Sequence, residues 1–123
     1  MGNLTIPSDL HFVKGLDPVA DFMSGTVYSD IIEVGGDGIC FLVYKGVGTT
    51  GTSVLTVEAC SNVSAGATSA VVFWYKRIST TDSGWTAATT AGFTTTAGSS
   101  DMYLIAAPAD VFASTGYKYA RLK

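Results

Sequence analysis

The chain has 123 residues, 14% of them charged and 47% hydrophobic, with a formal net charge of -3 and a mean hydropathy of +0.34. That length fits one domain burying roughly two-thirds of its unfolded surface, so no disulfide or metal staple is required. The Lys and Arg residues are scattered, which argues against nucleic acid as a direct ligand, since backbone binding needs clustered cations.

Charged residues usually make up roughly 25% of a soluble domain. Either the many Ala, Val and Gly residues account for the deficit, or apolar surface is hidden between subunits, as in obligate interfaces. No apolar run approaches the length of a membrane span, and the N-terminus lacks the basic and apolar regions of a secretion signal. The expectation is a protein made and used in the cytosol, with no membrane partner. The glycosylation sequons at Asn3 and Asn62 then carry little weight.

Residues 1–24 carry two prolines, Pro7 and Pro18, and apolar residues without regular alternation, which predicts an extended N-terminal arm. Asp17-Pro18 followed by Val19 to Phe22 reads as an N-cap, a proline at the first helical position and about one turn of helix. Such a turn needs packing to stand. Leu10, Phe12, Val13, Leu16 and Phe22 would therefore seek a surface to cover, on this subunit or a neighbour, and are candidate interface residues.

Residues 25–123 read as a β domain. Thr26 to Tyr28 and Ile31 to Val34 are short β-prone pieces, and Gly35 to Gly38 is a turn with positions suited to positive φ, leading into a hairpin. Phe41 to Cys60 holds two apolar runs around a Gly/Thr loop, Gly46 to Thr52, which predicts a long-loop hairpin. Ile39 to Lys45 is apolar on both faces, so it is placed centrally, with a layer or a subunit over each side. Ser53 to Ser61 is its half-wet neighbour, with Leu55, Val57 and Ala59 inward and Thr56 and Glu58 in solvent.

Ala70 to Ile78 predicts a strand with Val71, Phe73 and Tyr75 inward. Trp74 then lies beside Lys76 as an exposed contact residue or under a second core layer. Ser79 to Ser100 is a Ser/Thr/Gly/Ala-rich excursion, pinned to the body by Trp85 and Phe93 through short strands near Gly84 to Ala87 and Gly92 to Thr95. Met102 to Ala107 is a further strand, Pro108 to Thr115 a turn with a helical piece, and Tyr117 to Leu122 the closing strand. The pattern predicts an all-β, antiparallel β-sandwich of jelly-roll type. Its expected core is Phe41, Val43, Leu55, Val57, Phe73, Leu104 and Leu122.

Gly46-Val47-Gly48-Thr49-Thr50-Gly51 matches GxGxxG literally, but dinucleotide sites need a helix after the last glycine. Here a strand sequence follows, so these glycines are read as shaping a loop. His11, the only histidine, lies in the arm without companion ligands. Asp30, Glu33, Asp37 and Glu58 have no spacing that gathers them for calcium or general acid/base work. No catalytic residue, metal or cofactor is expected. Cys40 and Cys60 are read as reduced core thiols, a bridge being geometrically conceivable only if their strands pair closely. Trp74, Tyr75 and Trp85 admit either a carbohydrate platform or protein-interface anchors.

Gly15 to Glu33 (GLDPVADFMSGTVYSDIIE), Tyr44 to Cys60 (YKGVGTTGTSVLTVEAC), Ala91 to Ile105 (AGFTTTAGSSDMYLI) and Gly116 to Leu122 (GYKYARL) resemble a family of small virion structural proteins of tailed bacteriophages. The resemblance implies a non-enzymatic capsid decoration, or cement, protein, assembled in the host cytoplasm and carried on the virion surface. Its partners would be the major capsid protein and further copies of itself, expected as a trimer. Minor capsid, head-vertex and tail-associated placements are the alternatives within that reading, and a carbohydrate-binding module is the alternative outside it. The resemblance carries no binding residue with it.

Overall fold

The computed structural model describes residues 11–17, 25–46, 51–98 and 100–123. Among these residues ten strands run in chain order: β1 (Ile32–Glu33), β2 (Gly38–Lys45), β3 (Val54–Leu55), β4 (Val57–Cys60), β5 (Thr68–Val71), β6 (Phe73–Ile78), β7 (Thr86–Ala88), β8 (Phe93–Thr94), β9 (Asp101–Pro108) and β10 (Tyr119–Leu122). Among the described residues a single short helix, α1 (Asp110–Ala113), separates β9 from β10. The fold class is all-β, and every strand pair is antiparallel.

The strands form two four-stranded sheets, a first of order β1-β10-β4-β5 and a second of order β2-β9-β6-β7, with β3 and β8 pairing separately. The two sheets share one core in a sandwich-like arrangement. Phe41, Val43, Phe73, Tyr103, Ile105 and Ala107 enter it from the second sheet, Val57, Ala59, Val71 and Ala120 from the first, and Leu55 and Phe93 from the β3–β8 pair. Alternation explains which residues enter, because successive side chains of a strand point to opposite faces.

Phe93 holds the Ser79–Ser100 excursion to this core. Its ring stacks on Tyr75 at 3.8 Å between centroids and lies tilted against Phe73 and Tyr103 at 6.1 and 5.6 Å. Backbone bonds extend the hold: the Thr95 amide donates to the Ser53 carbonyl at 2.8 Å, and the Ser53 amide donates to the Thr95 hydroxyl at 2.9 Å. Gly92 makes this approach possible, since a Cβ there would collide with the Leu55 carbonyl and φ is +81°.

Several expectations hold. Gly36 and Gly38 take positive φ in the turn before β2, the excursion forms the short strands β7 and β8, and Phe73 and Val71 point inward. Of the expected core, Phe41, Val43, Leu55, Val57 and Phe73 are buried and Leu122 packs against them partly buried.

Others are corrected. The runs within Phe41–Cys60 do not pair as a hairpin: β2 bonds to β9 in the second sheet, whereas β4 bonds to β10 and β5 in the first. Likewise β1 and β2 lie in different sheets, so the Gly35–Gly38 turn passes between layers. Ala70–Ile78 is broken at Val72, with β5 in one sheet and β6 in the other. Leu104 faces outward, because Tyr103, Ile105 and Ala107 fill the inner face of β9. Cys40 is exposed on β2, while Cys60 is fully buried, and both are free thiols. Residues 18–24, with the expected helical turn, and residues 47–50 of the glycine loop lie outside the described residues.

Candidate interaction surface

The outward faces of the two sheets differ in chemistry. On the first, β4 and β10 bring Glu58 opposite Arg121, paired at 2.8 Å, with Lys123 at 3.5 Å from the same carboxylate. The Arg121 guanidinium lies over the Tyr28 ring at 3.9 Å. Glu58 is thus 8% exposed rather than solvated. Its charge tolerates burial because two cations neutralise it.

The second sheet presents an apolar outer face. The strand register lines up Cys40, Ala106, Trp74 and Ala87 in one row, Leu42, Leu104 and Lys76 in the next, and Tyr44, Met102 and Ile78 in a third. Leu42 is 65% exposed, Tyr44 60% and Trp74 47%. The charge in these rows is Lys76, whose ammonium bonds to Asp82 at 2.9 Å and lies over the Trp85 ring at 4.7 Å. It is locally compensated, so the face offers little to water. The Asp82 carboxyl is held below the ordinary carboxylate range, first by the Lys76 hydrogen bond and then by the Gly84 amide.

Trp74 stands exposed beside Lys76 as one of its two sequence readings required. Trp85 departs from its expected role as a pin, being 48% exposed and held by the Lys76 cation. Phe12, Val13 and Leu16 are exposed, and His11 with them. They flank an open groove whose other wall includes Leu42, Tyr44 and Leu104. Leu10 and Phe22 lie outside the described residues. Within this part of the chain the Asp30 amide donates to the Gly15 carbonyl at 2.8 Å.

Sequence reasoning missed Leu42, Tyr44, Met102 and Leu104 as surface residues. The signal was there: β2 and β9 are apolar on both faces. That pattern reads equally as two buried faces or as one buried face and one sticky one. Among the described residues, no cluster of His, Cys, Asp and Glu could hold a metal ion. Comparison with protein-family models, curated proteins and solved structures finds no match for this chain.

Proposed function

We propose that this is a non-enzymatic structural protein that works by association, and that its setting is the head of a tailed bacteriophage, where it decorates and cements the capsid shell by binding the major capsid protein. The observation that carries the associative part is the outer face of the second sheet, with its apolar rows and one compensated charge. Contiguous apolar patches of that kind mark interaction sites on soluble proteins. The capsid setting rests on the sequence resemblance.

The strand order supports a jelly-roll reading of the sandwich. If β5 and β6 count as one strand that changes sheets, and β3 and β4 as another, two four-stranded sheets interleave as that topology requires, with β8 as the short eighth strand. In the proposed role residues 1–24 are a docking arm, and Phe12, Val13 and Leu16 are the exposed apolar residues that support it. Burying each contributes roughly 1.5 to 3 kcal/mol. Repetition on a lattice then combines weak contacts by effective concentration.

The test is decoration of undecorated capsids by the purified protein, read by co-sedimentation. The full chain should bind at a copy number comparable to the capsid protein, and the chain lacking residues 1–24 should keep its β-type spectrum and lose binding. Truncated protein that still decorates at full occupancy removes the arm from the mechanism. Presence in virions at only a few copies would instead indicate a vertex or tail position. The exposed Trp74 on β6 and the exposed Trp85 just before β7, whose ring lies against Lys76 of β6, favour carbohydrate as the second reading. Sugar affinity lost on Trp74→Ala or Trp85→Ala would select it.

A further inference from the structure

The sandwich has four sheet edges, and three are closed off by brevity: β1 has 2 residues, β5 has 4 and β7 has 3. The fourth is β2, with 8 residues, about 26 Å at the usual rise. It pairs with β9 in unbroken register from Gly38↔Pro108 to Lys45↔Asp101. Among the described residues, no other backbone hydrogen bond leaves Ile39 to Lys45. An edge strand directs part of its amides and carbonyls away from its own sheet, and proteins usually defend such a row with proline, charge or a bulge. Here the strand has no proline or bulge, and its one charge is withdrawn: the Lys45 ammonium donates to the Gly51 and Thr96 carbonyls at 2.7 Å each and is 4% exposed.

We infer that the β2 edge pairs antiparallel with the β2 edge of a second copy of this chain, joining the second sheets of two subunits into one continuous sheet. The strand is self-complementary for this purpose. A twofold axis near Phe41 or Leu42 brings outward residues opposite outward ones and inward opposite inward. Leu42 then meets the second copy's Cys40 or Leu42, and Lys45 meets the second copy's Asp37 or Ile39, with no like charges opposed. Strand pairing alone falls short of the roughly 800 Å² per partner in a standard interface. The exposed Phe12, Val13 and Leu16 flank the same groove and supply the additional apolar surface. The outer faces stay uncovered and merge, doubling the apolar platform. The inference stands apart from the capsid reading, and it builds a dimer where that reading expects a trimer.

The test is sedimentation equilibrium of the full chain without capsids, with hydrogen exchange of the β2 amides. The expected result is a dimer whose β2 amides are all protected. In Leu42→Lys/Tyr44→Lys, two exposed positions where the lysines of the two copies would crowd one another directly or diagonally across the axis, the mass should halve, the circular dichroism should stay unchanged and part of the β2 protection should be lost. The loop variant Val63→Lys should remain dimeric. A trimer, a dimer that survives the double substitution, or a monomer with fully protected β2 amides overturns the inference; the last would mean that the chain covers its own edge. A monomer with exchanging β2 amides overturns it as well.

Discussion

Phe93 offers the sharpest test of how the long Ser79–Ser100 excursion is held. It is 8% exposed and contacts the rings of Phe73, Tyr75 and Tyr103. Phe93→Ala removes a buried ring and leaves a cavity between the sheets, a change that costs about 3 to 5 kcal/mol. Phe93→Leu retains much of the apolar volume and loses the aromatic geometry, so about 1 to 2 kcal/mol is expected. Trp85 is the larger residue and, by composition, the stronger anchor. Yet it is 48% exposed and its specific contact is the Lys76 cation, so Trp85→Ala should cost only about 0.5 to 1 kcal/mol. Urea unfolding at fixed slope measures all three, and thermal midpoints should fall in the same order. If Trp85→Ala costs as much as Phe93→Ala, or if Phe93→Ala costs less than about 1 kcal/mol, the excursion is not anchored through the core ring.

Further outcomes follow from the charged and thiol groups. Arg121→Met strands the 8%-exposed Glu58 carboxylate with only Lys123 nearby and should cost up to about 3 kcal/mol, whereas Glu58→Leu/Arg121→Met should recover much of that loss in the same urea assay. Cys40 should react with a maleimide in the native protein, slowly because partial desolvation of its sulfur on the sheet face raises its thiol pKa, and Cys60 should react only after unfolding, its thiol raised by burial; a titration of the denatured, non-reduced protein should find both free. The Asp82 carboxyl has its folded pKa lowered from 3.8 by the Lys76 bond, so its charge-dependent stabilisation is present above that ordinary value and fades as pH falls through the folded one. Urea midpoints of the wild type and Asp82→Asn should therefore differ at neutral pH and converge in acid; a gap independent of pH would show that the charge is irrelevant.

Local pattern was enough for much of the secondary structure. Alternation in Val71, Phe73 and Tyr75 placed the inner face of β5 and β6, and it placed Leu55, Val57 and Ala59 inward. Glycine chemistry located the turn before β2, and the Pro108–Thr115 segment yielded its short helix. These are properties of near neighbours in the chain, where side-chain period and backbone sterics act directly.

Which strands became partners was decided only by tertiary structure. Gly38–Lys45 and Val57–Cys60, close in sequence, part into different sheets because β2 finds its complement in β9 and β4 finds its complement in β10. The phase of β9 was open for the same reason: both its faces are apolar, so only Asp101 opposite Lys45 and the inward ring of Tyr103 turn Leu104 to the outside. Glu58 reads as a solvated residue until Arg121 arrives from the closing strand to neutralise it. The candidate surface belongs to this second class. Leu42, Leu104 and Trp74 lie far apart in the chain, and only the register of β2, β9 and β6 sets them side by side. Hydrophobicity drives apolar side chains out of water but is non-directional; the pairing of backbone donors and acceptors selects which of them are buried inside this subunit, and it leaves Leu42 and Trp74 on the surface.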